Sequence, residues 1–332
     1  MNHLLLAQPG YESFLAGEIS AHSMETGQSG PGWCKVSGDP ARFSDLCFAH
    51  MGLIDATEIT GDTINAIAGS IASFFLVSMR GERIDNPWPY LFLCAPIKQL
   101  SHRVKAIEKA ATVLLQKRIS RVIRLSRPEC PPGFGMRRGL IAYFPDFGRW
   151  YMARDFYHGG QRRMKDDPRA PSRSFLKVEE AYGIVGRHPA ENECVADLGA
   201  APGGWSFSAA QRGARVIAVD NGPLKAGAHN HPAIEHCRDD AFSFGPCSGN
   251  RFDWLFCDMV EDPYRVLLLL EKWVDKQWCR HCIVNLKFGR TDPLRVLDSV
   301  RNSRILTRRC GSVVVRHLYH DRDEITVAGS VG

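Results

Sequence analysis

Several charged residues stand where a fold could put them to chemical use. Asp197 closes the apolar run Cys194-Val195-Ala196 and opens the turn Leu198-Gly199-Ala200-Ala201-Pro202-Gly203-Gly204, after which Trp205 and Ser206 start a helix. A buried strand ending in an acid, a glycine turn and a helix start together make a nucleoside pocket at the carboxyl end of a first parallel strand. Asp220 closes a second run, Val216-Ile217-Ala218-Val219, 23 residues after Asp197. A carboxylate there can accept from both hydroxyls of a ribose. In Arg238-Asp239-Asp240 a third strand is followed by acids, one of which can accept from an adenine amino group. Asp258 follows the fourth run, Trp254-Leu255-Phe256-Cys257. Lys287 ends Ile283-Val284-Asn285-Leu286, and a lysine finishing so apolar a run needs a partner or a snorkelling exit to water. Lys177 precedes the first strand in Ser174-Phe175-Leu176-Lys177.

The turn separates two classes of cofactor. A dinucleotide turn needs G-x-G-x-x-G so that a helix N-terminus meets the pyrophosphate. Here Ala201 stands two residues after Gly199 and Pro202 interrupts the pattern. S-adenosylmethionine carries a nucleoside, a carboxylate and a sulfonium but no phosphate, and it suits this looser turn better. Asp220 fits either guest, so an NAD(P)-dependent reductase is the enzymatic alternative and a non-catalytic RNA-binding protein the other. The methyl acceptor narrows as well. Enzymes that methylate exocyclic amines carry an acid or Asn followed by Pro-Pro-aromatic after the fourth strand, which Asp258-Met259-Val260 lacks. Carbon-5 cytosine enzymes need a cysteine nucleophile after a proline, and no proline precedes Cys257. A hydroxyl is the better acceptor.

These residues need elements to hold them. Strands near 194–197, 216–220, 234–237, 254–257 and 281–287, with helices between, predict a mostly parallel sheet, closed by a hairpin of 312–318 with 324–327. Upstream, the pattern predicts a strand over 3–7, a helix over 11–20, a strand near 33–36 and a helix near 40–51. A strand over 91–94 precedes a long helix, 101–123, whose stripe is Val104, Ile107, Ala111, Leu114, Leu115 and Ile119. A hairpin of 140–144 with 149–156 follows, and the polar stretch 158–171 reads as a linker. The fold class expected is α/β. A Rossmann-like domain over 161–332 is preceded by a small α+β, ferredoxin-like subdomain over 1–85 and a basic subdomain over 86–160.

The chain has 332 residues, 44% hydrophobic, and a formal charge of +6. That charge is unevenly spread. From Arg103 to Arg173 there are 17 Lys and Arg against 6 Asp and Glu, a local +11 that leaves −5 for the remainder. A basic middle of this kind is what contact with a phosphate backbone requires, and it predicts RNA as a partner. No apolar run approaches a bilayer span, and the N-terminus shows no basic leader, so no membrane partner is expected. The eleven scattered cysteines read as reduced thiols of a cytoplasmic protein. The lone C-x-x-C, Cys279 to Cys282, has no second pair, and no metal is expected.

The string D-L-G-A-A-P-G-G-W-S resembles the first motif of the FtsJ-related ribose 2′-O-methyltransferases. Taken in order, Ser172-Arg173-Ser174 with Lys177, that string, Val219-Asp220-Asn221-Gly222-Pro223, Cys257-Asp258-Met259-Val260, Asn285-Leu286-Lys287 and Leu318-Tyr319-His320-Asp321-Arg322 with Glu324 resemble the 23S ribosomal RNA cytidine 2′-O-ribose methyltransferase M family. The matches cover residues 171 to 327, while the basic subdomain resembles the THUMP type of RNA-binding module only diffusely. The resemblance implies S-adenosylmethionine as cofactor, 23S ribosomal RNA or its precursor as substrate, and a monomer. It implies a catalytic tetrad of Lys177, Asp258, Lys287 and Glu324, with a lysine as general base. The cofactor would meet Ser174, Asp197, Gly199, Ala201, Pro202, Gly203, Gly204, Asp220, Asp240 and Asp258. Another RNA as the methyl acceptor is the nearest alternative.

Overall fold

The computed structural model describes residues 2–247 and 250–332, and it divides the chain into two compact units that meet between Gly160 and Gln161. The first unit contains β1 (His3–Leu6), α1 (Glu12–Ala21), β2 (Glu25–Gly30), β3 (Trp33–Ser37), β4 (Met51–Leu53), β5 (Thr57–Thr60), α2 (Ile64–Ser78), β6 (Trp88–Cys94), α3 (Leu100–Arg124), β7 (Ser126–Arg127), β8 (Gly135–Phe144) and β9 (Arg149–His158). Eight of the strands run in the order β2-β3-β1-β4-β9-β8-β6-β7, and β5 also pairs with β9. Strands from both sides of residue 85 therefore share one sheet. Alternation along β8 and β9 divides the unit's core, because successive side chains point to opposite faces. Leu140, Ala142, Phe144, Trp150 and Met152 pack with α2 and α3. Ile141, Tyr143, Tyr151 and Ala153 pack with Leu4, Leu6 and Trp33.

Two helices of this unit differ from the sequence expectation. The helix expected over 40–51 is a short 3-10 turn, Pro40–Asp45, capped by Asp39, whose side chain accepts from Ala41 N at 3.0 Å. Leu46, Cys47, Phe48 and Ala49 are all fully buried, and the backbone N–H groups of Cys47 and Phe48 are taken by the buried carboxylate of Glu18. With every side chain inward there is no amphipathic face for a helix to present. In contrast, α2 has no counterpart in the sequence reading. In α3 the buried stripe is Leu100, Val104, Ile107, Ala111, Leu115 and Ile123, while Leu114 is exposed.

The second unit contains α4 (Phe175–Val185), β10 (Cys194–Leu198), α5 (Gly204–Ala210), β11 (Arg215–Val219), β12 (Ile234–Cys237), β13 (Phe252–Cys257), α6 (Pro263–Asp275), β14 (Cys279–Lys287), α7 (Pro293–Arg301), α8 (Arg304–Arg309), β15 (Cys310–Arg316) and β16 (Glu324–Val331). The sheet order is β12-β11-β10-β13-β14-β16-β15. The first five are mutually parallel, and β16 runs antiparallel to both of its neighbours. This is the Rossmann-like α/β sheet expected. Helices were expected in every connection, yet β11 and β12 are joined through a 3-10 turn, Ala226–Ala228, and no helix lies among the described residues between β12 and β13. Gly222, Pro223, Gly227 and Pro232 punctuate the first of these segments and Gly245 and Pro246 the second. The last three helices start on clear caps, Asp262 before α6, Asp292 before α7 and Ser303 before α8, the first two followed by proline.

The stretch 158–171 is tied to the second unit from Gln161 onward. Arg162 N donates to Glu180 at 3.0 Å, Met164 N to His320 Nε2 at 2.8 Å, and Arg169 O accepts from Gly227 N at 3.0 Å. The glycine turn after β10 is equally constrained. Gly199 has φ +73°, and a Cβ there would lie 2.1 Å from Met259 Cγ. Gly199→Ala should therefore cost about 1–3 kcal/mol of stability, from left-handed strain and overpacking together. Thermal unfolding checks this: a clear fall in Tm is expected, and an unchanged Tm would mean that the turn yields freely.

Candidate active site

The carboxyl ends of the parallel strands bring the singled-out residues together by strand parity. In the antiparallel pair of β14 and β16, Asn285 stands opposite Thr326 and Lys287 opposite Glu324, and residues two apart share a face. Asp258 follows the end of β13, which pairs with β14. Lys177 lies in the first turn of α4. Four charged groups converge as a result. Lys287 Nζ donates to Asp258 Oδ1 at 2.6 Å and to Glu324 Oε2 at 2.7 Å, while Lys177 Nζ lies 2.6 Å from Glu324 Oε1 and 3.4 Å from Asp258 Oδ1. Asn285 Nδ2 donates to both carboxylates, at 3.2 and 3.4 Å.

Two ammonium and two carboxylate groups balance in charge, which is what allows them to be largely withdrawn from water; Glu324 is only 5% exposed. Burial acts to pull the Lys287 pKa down, but Asp258 and Glu324 overcome it and hold the ammonium above the ordinary lysine range. Burial likewise works to raise Glu324, and the two lysines overcome it and keep the carboxylate below its ordinary value. In this state Lys287 is firmly protonated.

Two clefts adjoin the tetrad. One, of about 340 Å³, is lined by Gly199, Ala201, Asp220, Asp239, Asp240 and Asp258, with Phe242, Met259 and Val260 among the residues around them. Each Asp220 oxygen accepts one backbone N–H, Oδ2 from Ala201 at 3.0 Å and Oδ1 from Gly222 at 2.7 Å. That fixes the carboxylate and leaves each oxygen a further lone pair, so a pair of vicinal hydroxyls fits it. Asp240 Oδ1 accepts from Phe242 N at 3.1 Å. The second cleft, of about 490 Å³, is lined by Arg163, Arg173, Ser174, Lys177, Tyr319, Arg322 and Glu324, among others. Its wall is built on Glu180, a fully buried carboxylate that accepts from Arg162 N, Tyr319 N and His320 N. Burial pushes the Glu180 pKa up to about 7 against those three donors.

Not every expected contact lines a cleft. Asp197, Pro202, Gly203 and Gly204 line neither. Asp197 is 1% exposed and accepts from Ser206 Oγ at 2.6 Å, so it braces the start of α5 rather than facing the pocket. Gly203 and Gly204 are required by packing: a Cβ would stand 2.5 Å from Ala228 Cβ at the first and 2.8 Å from Ser172 Oγ at the second. Asn285, Thr326, Asp321 and Glu180 received no role from the sequence. For Asn285 and Thr326 the signal was a polar residue in a buried strand, two places from a charged one on the same face; Glu180, on α4, and Asp321, between β15 and β16, carried no such signal. Cys279 and Cys282 are buried on β14, and no metal-holding group of three or more His, Cys, Asp or Glu exists among the described residues.

In the first unit the exposed face of α3 carries Lys105, Lys109, Lys117, Arg118 and Arg124. Much of the remaining positive charge is spent internally. Arg121 pairs with Asp85, Arg138 with Glu82 and Asp155, Arg149 with Asp146 and Glu58, and Arg154 with Glu82. Three of those acids, Glu58, Glu82 and Asp85, lie outside the basic segment, so its linear excess overstates the free charge on its surface.

Burial pushes the Asp197 pKa up to about 7, opposed by the Ser206 hydrogen bonds and reinforced by Asp258 and Asp220. An acid whose pKa is higher folded than unfolded holds its proton better in the folded state. Its contribution to stability therefore declines as pH climbs from 3.8 toward about 7. Asp197→Asn, which cannot ionise, should lose less stability than the parent protein across that window. Denaturant unfolding at several pH values checks this, and an identical pH slope in both proteins would contradict it.

Comparison with known proteins identifies the family. Residues 170–306 match the FtsJ-like methyltransferase family model. The ribosomal RNA large subunit methyltransferase M of Mannheimia succiniciproducens is 40% identical over 182 residues, 52% of this chain and 50% of that protein. Its counterpart from Actinobacillus succinogenes is 41% identical over 181 residues, with the same coverage. The matched part spans about half the length of these relatives. The protein of the same name from Chromohalobacter salexigens aligns across 98% of this chain and 96% of its own length at 31% identity. On that end-to-end likeness, the chain belongs to the ribosomal RNA large subunit methyltransferase M family.

Proposed function

We propose that this protein transfers a methyl group from S-adenosylmethionine to the ribose 2′-hydroxyl of a cytidine in 23S ribosomal RNA or its precursor, acting as a monomer in the cytoplasm. The observation that carries the reading is the convergence of Lys177, Asp258, Lys287 and Glu324 between a nucleoside-sized cleft and a second, arginine-rimmed one. The family model and the names of the relatives support the reaction class.

When bound, S-adenosylmethionine supplies an electrophilic methyl on a sulfonium, whose positive charge adds to those of the two ammonium groups. Asp220 would hold the ribose hydroxyls of that cofactor, and Asp240 would accept from its adenine amino group. A 2′-hydroxyl is a poor nucleophile until it loses its proton, so it needs a base held in line with the methyl. Lys287 is the proposed base. It rests as an ammonium and must first release its own proton to solvent, a change that added positive charge nearby favours. Lys177 supplies the like charge from the other side of Glu324, and both carboxylates keep the two amino groups aimed at one point. The exposed lysines and arginines of α3 would hold the RNA backbone.

Nucleoside analysis of 23S RNA fragments incubated with the protein and S-adenosylmethionine tests the reaction. The expected product is 2′-O-methylcytidine, and a base-methylated product or none would overturn the reading. Calorimetry tests the cofactor pocket: Asp220→Ala should weaken S-adenosylmethionine binding by about tenfold or more through the lost ribose hydrogen bonds, with RNA affinity little changed. Unchanged cofactor affinity would remove Asp220 from the pocket.

A further inference from the structure

Behind the tetrad lies a chain of buried polar side chains whose donors and acceptors among the described residues fix its direction. Asn285 is fully buried, and Thr326 and Asp321 are each 3% exposed. Asn285 Nδ2 faces Asp258 Oδ1 and Glu324 Oε2. Both are acceptors, so the amide nitrogen must be on that side; a flipped amide would turn its oxygen on two carboxylates. Asn285 Oδ1 then needs a donor, and Thr326 Oγ1 supplies it at 2.7 Å. A threonine hydroxyl has one proton, and this bond uses it.

Thr326 Oγ1 also lies 3.0 Å from Asp321 Oδ2. With the hydroxyl proton already committed, that contact is a hydrogen bond only if the proton comes from the acid. Asp321 Oδ2 can donate to Thr326 while accepting from Leu318 N at 2.9 Å. Among the described residues the other oxygen, Oδ1, is buried without a partner, which is less costly for the carbonyl oxygen of a neutral acid than for an ionised one. From these contacts we infer that Asp321 is a neutral carboxylic acid whose proton is donated to Thr326, setting the direction of a hydrogen-bond chain that runs through Asn285 to both tetrad carboxylates.

The charged groups that face Asp321 agree with this. Glu324 and Glu180 oppose its ionisation, Lys177 favours it, and burial, the largest influence, pushes its pKa well above the ordinary range. The chain has a consequence for the tetrad. It holds the Asn285 amide nitrogen on Asp258 and Glu324, so two carboxylates face two ammonium groups and no third negative charge upsets the balance. Asp321 and Thr326 are thus positioning residues; neither needs to touch the reacting atoms. Their proposed effect on turnover rests on the methyltransferase reading, whereas the protonation of Asp321 does not.

Carboxyl-carbon NMR of protein labelled at aspartate tests the protonation directly. Apart from the Asp197 signal, which titrates near 7, one protonated-acid resonance that persists above that pH is expected, absent from Asp321→Asn. If no such resonance exists, or if it survives in that variant, the inference fails. Because Asp321→Asn could misfold, Thr326→Val and Thr326→Ser provide a second arm. Valine removes the link, and serine keeps it. In single-turnover methyl transfer with both substrates saturating, Thr326→Val should be slowed about tenfold to a hundredfold while its affinity for both, measured separately by calorimetry, is little altered, and Thr326→Ser should restore most of the rate. Equal rates in the two variants would overturn the positioning role. A protonated-acid signal in a protein that transfers no methyl group would support the inference while overturning the proposed reaction.

Discussion

The mutual neutralisation of two ammonium and two carboxylate groups in a largely water-excluded space is the constraint on which the second unit's architecture depends. Leaving any one of these charges unpaired there would cost several kcal/mol, so the elements that carry them must meet with good geometry. Four separate elements do so: the first turn of α4, the end of β13, the end of β14 and the start of β16. The antiparallel β16 is essential to this. Running against β14, it brings Glu324 directly opposite Lys287, a pairing that a parallel strand entering from the other end would not make at this edge. The glycine turn after β10 and the Glu180 clamp then shape the two clefts on either side.

Buried acids play unlike parts in this one unit. Asp197 is spent on Ser206 and braces a helix start, Glu180 gathers three backbone N–H groups, and Asp258 and Glu324 hold lysines. Each is explained by the donors that surround it. An acid at the end of an apolar strand therefore signals a site near the strand end, but its neighbours decide whether it faces a ligand or the core.

Much of the second unit was legible because its signals are local and strong. Short apolar strands ending in acids and a long glycine motif mark the parallel sheet and the cleft, and Lys287 stands out at the end of an apolar run. The polar chain behind the tetrad was not legible. Asn285 and Thr326 meet only through the register of β14 with β16, and Asp321 reaches Thr326 from the turn before β16, neither of which a residue type announces. In the first unit, α2 (Ile-Asn-Ala-Ile-Ala-Gly-Ser-Ile-Ala-Ser-Phe-Phe-Leu-Val-Ser) is apolar around most of its circumference, with Ile64 and Val77 exposed, so it offers little helical stripe to read. The strand β2, Glu-Thr-Gly-Gln-Ser-Gly, lies at the sheet edge and is almost wholly exposed, so it lacks the alternation by which strands are recognised. The basic segment was legible as charge but not as free charge: its arginines are partly paired with acids distant in sequence, a fact visible only once the sheet has formed.

The central claim is that Lys287, firmly protonated in the resting cluster, gives up its proton and takes that of the ribose hydroxyl. Single-turnover methyl transfer by Lys287→Arg, with cofactor and RNA both saturating, addresses it most directly. A guanidinium keeps the charge and can keep both carboxylate contacts, yet it cannot act as a base at any workable pH. The account predicts that this variant binds both ligands and transfers no methyl group, and near-normal transfer would contradict it.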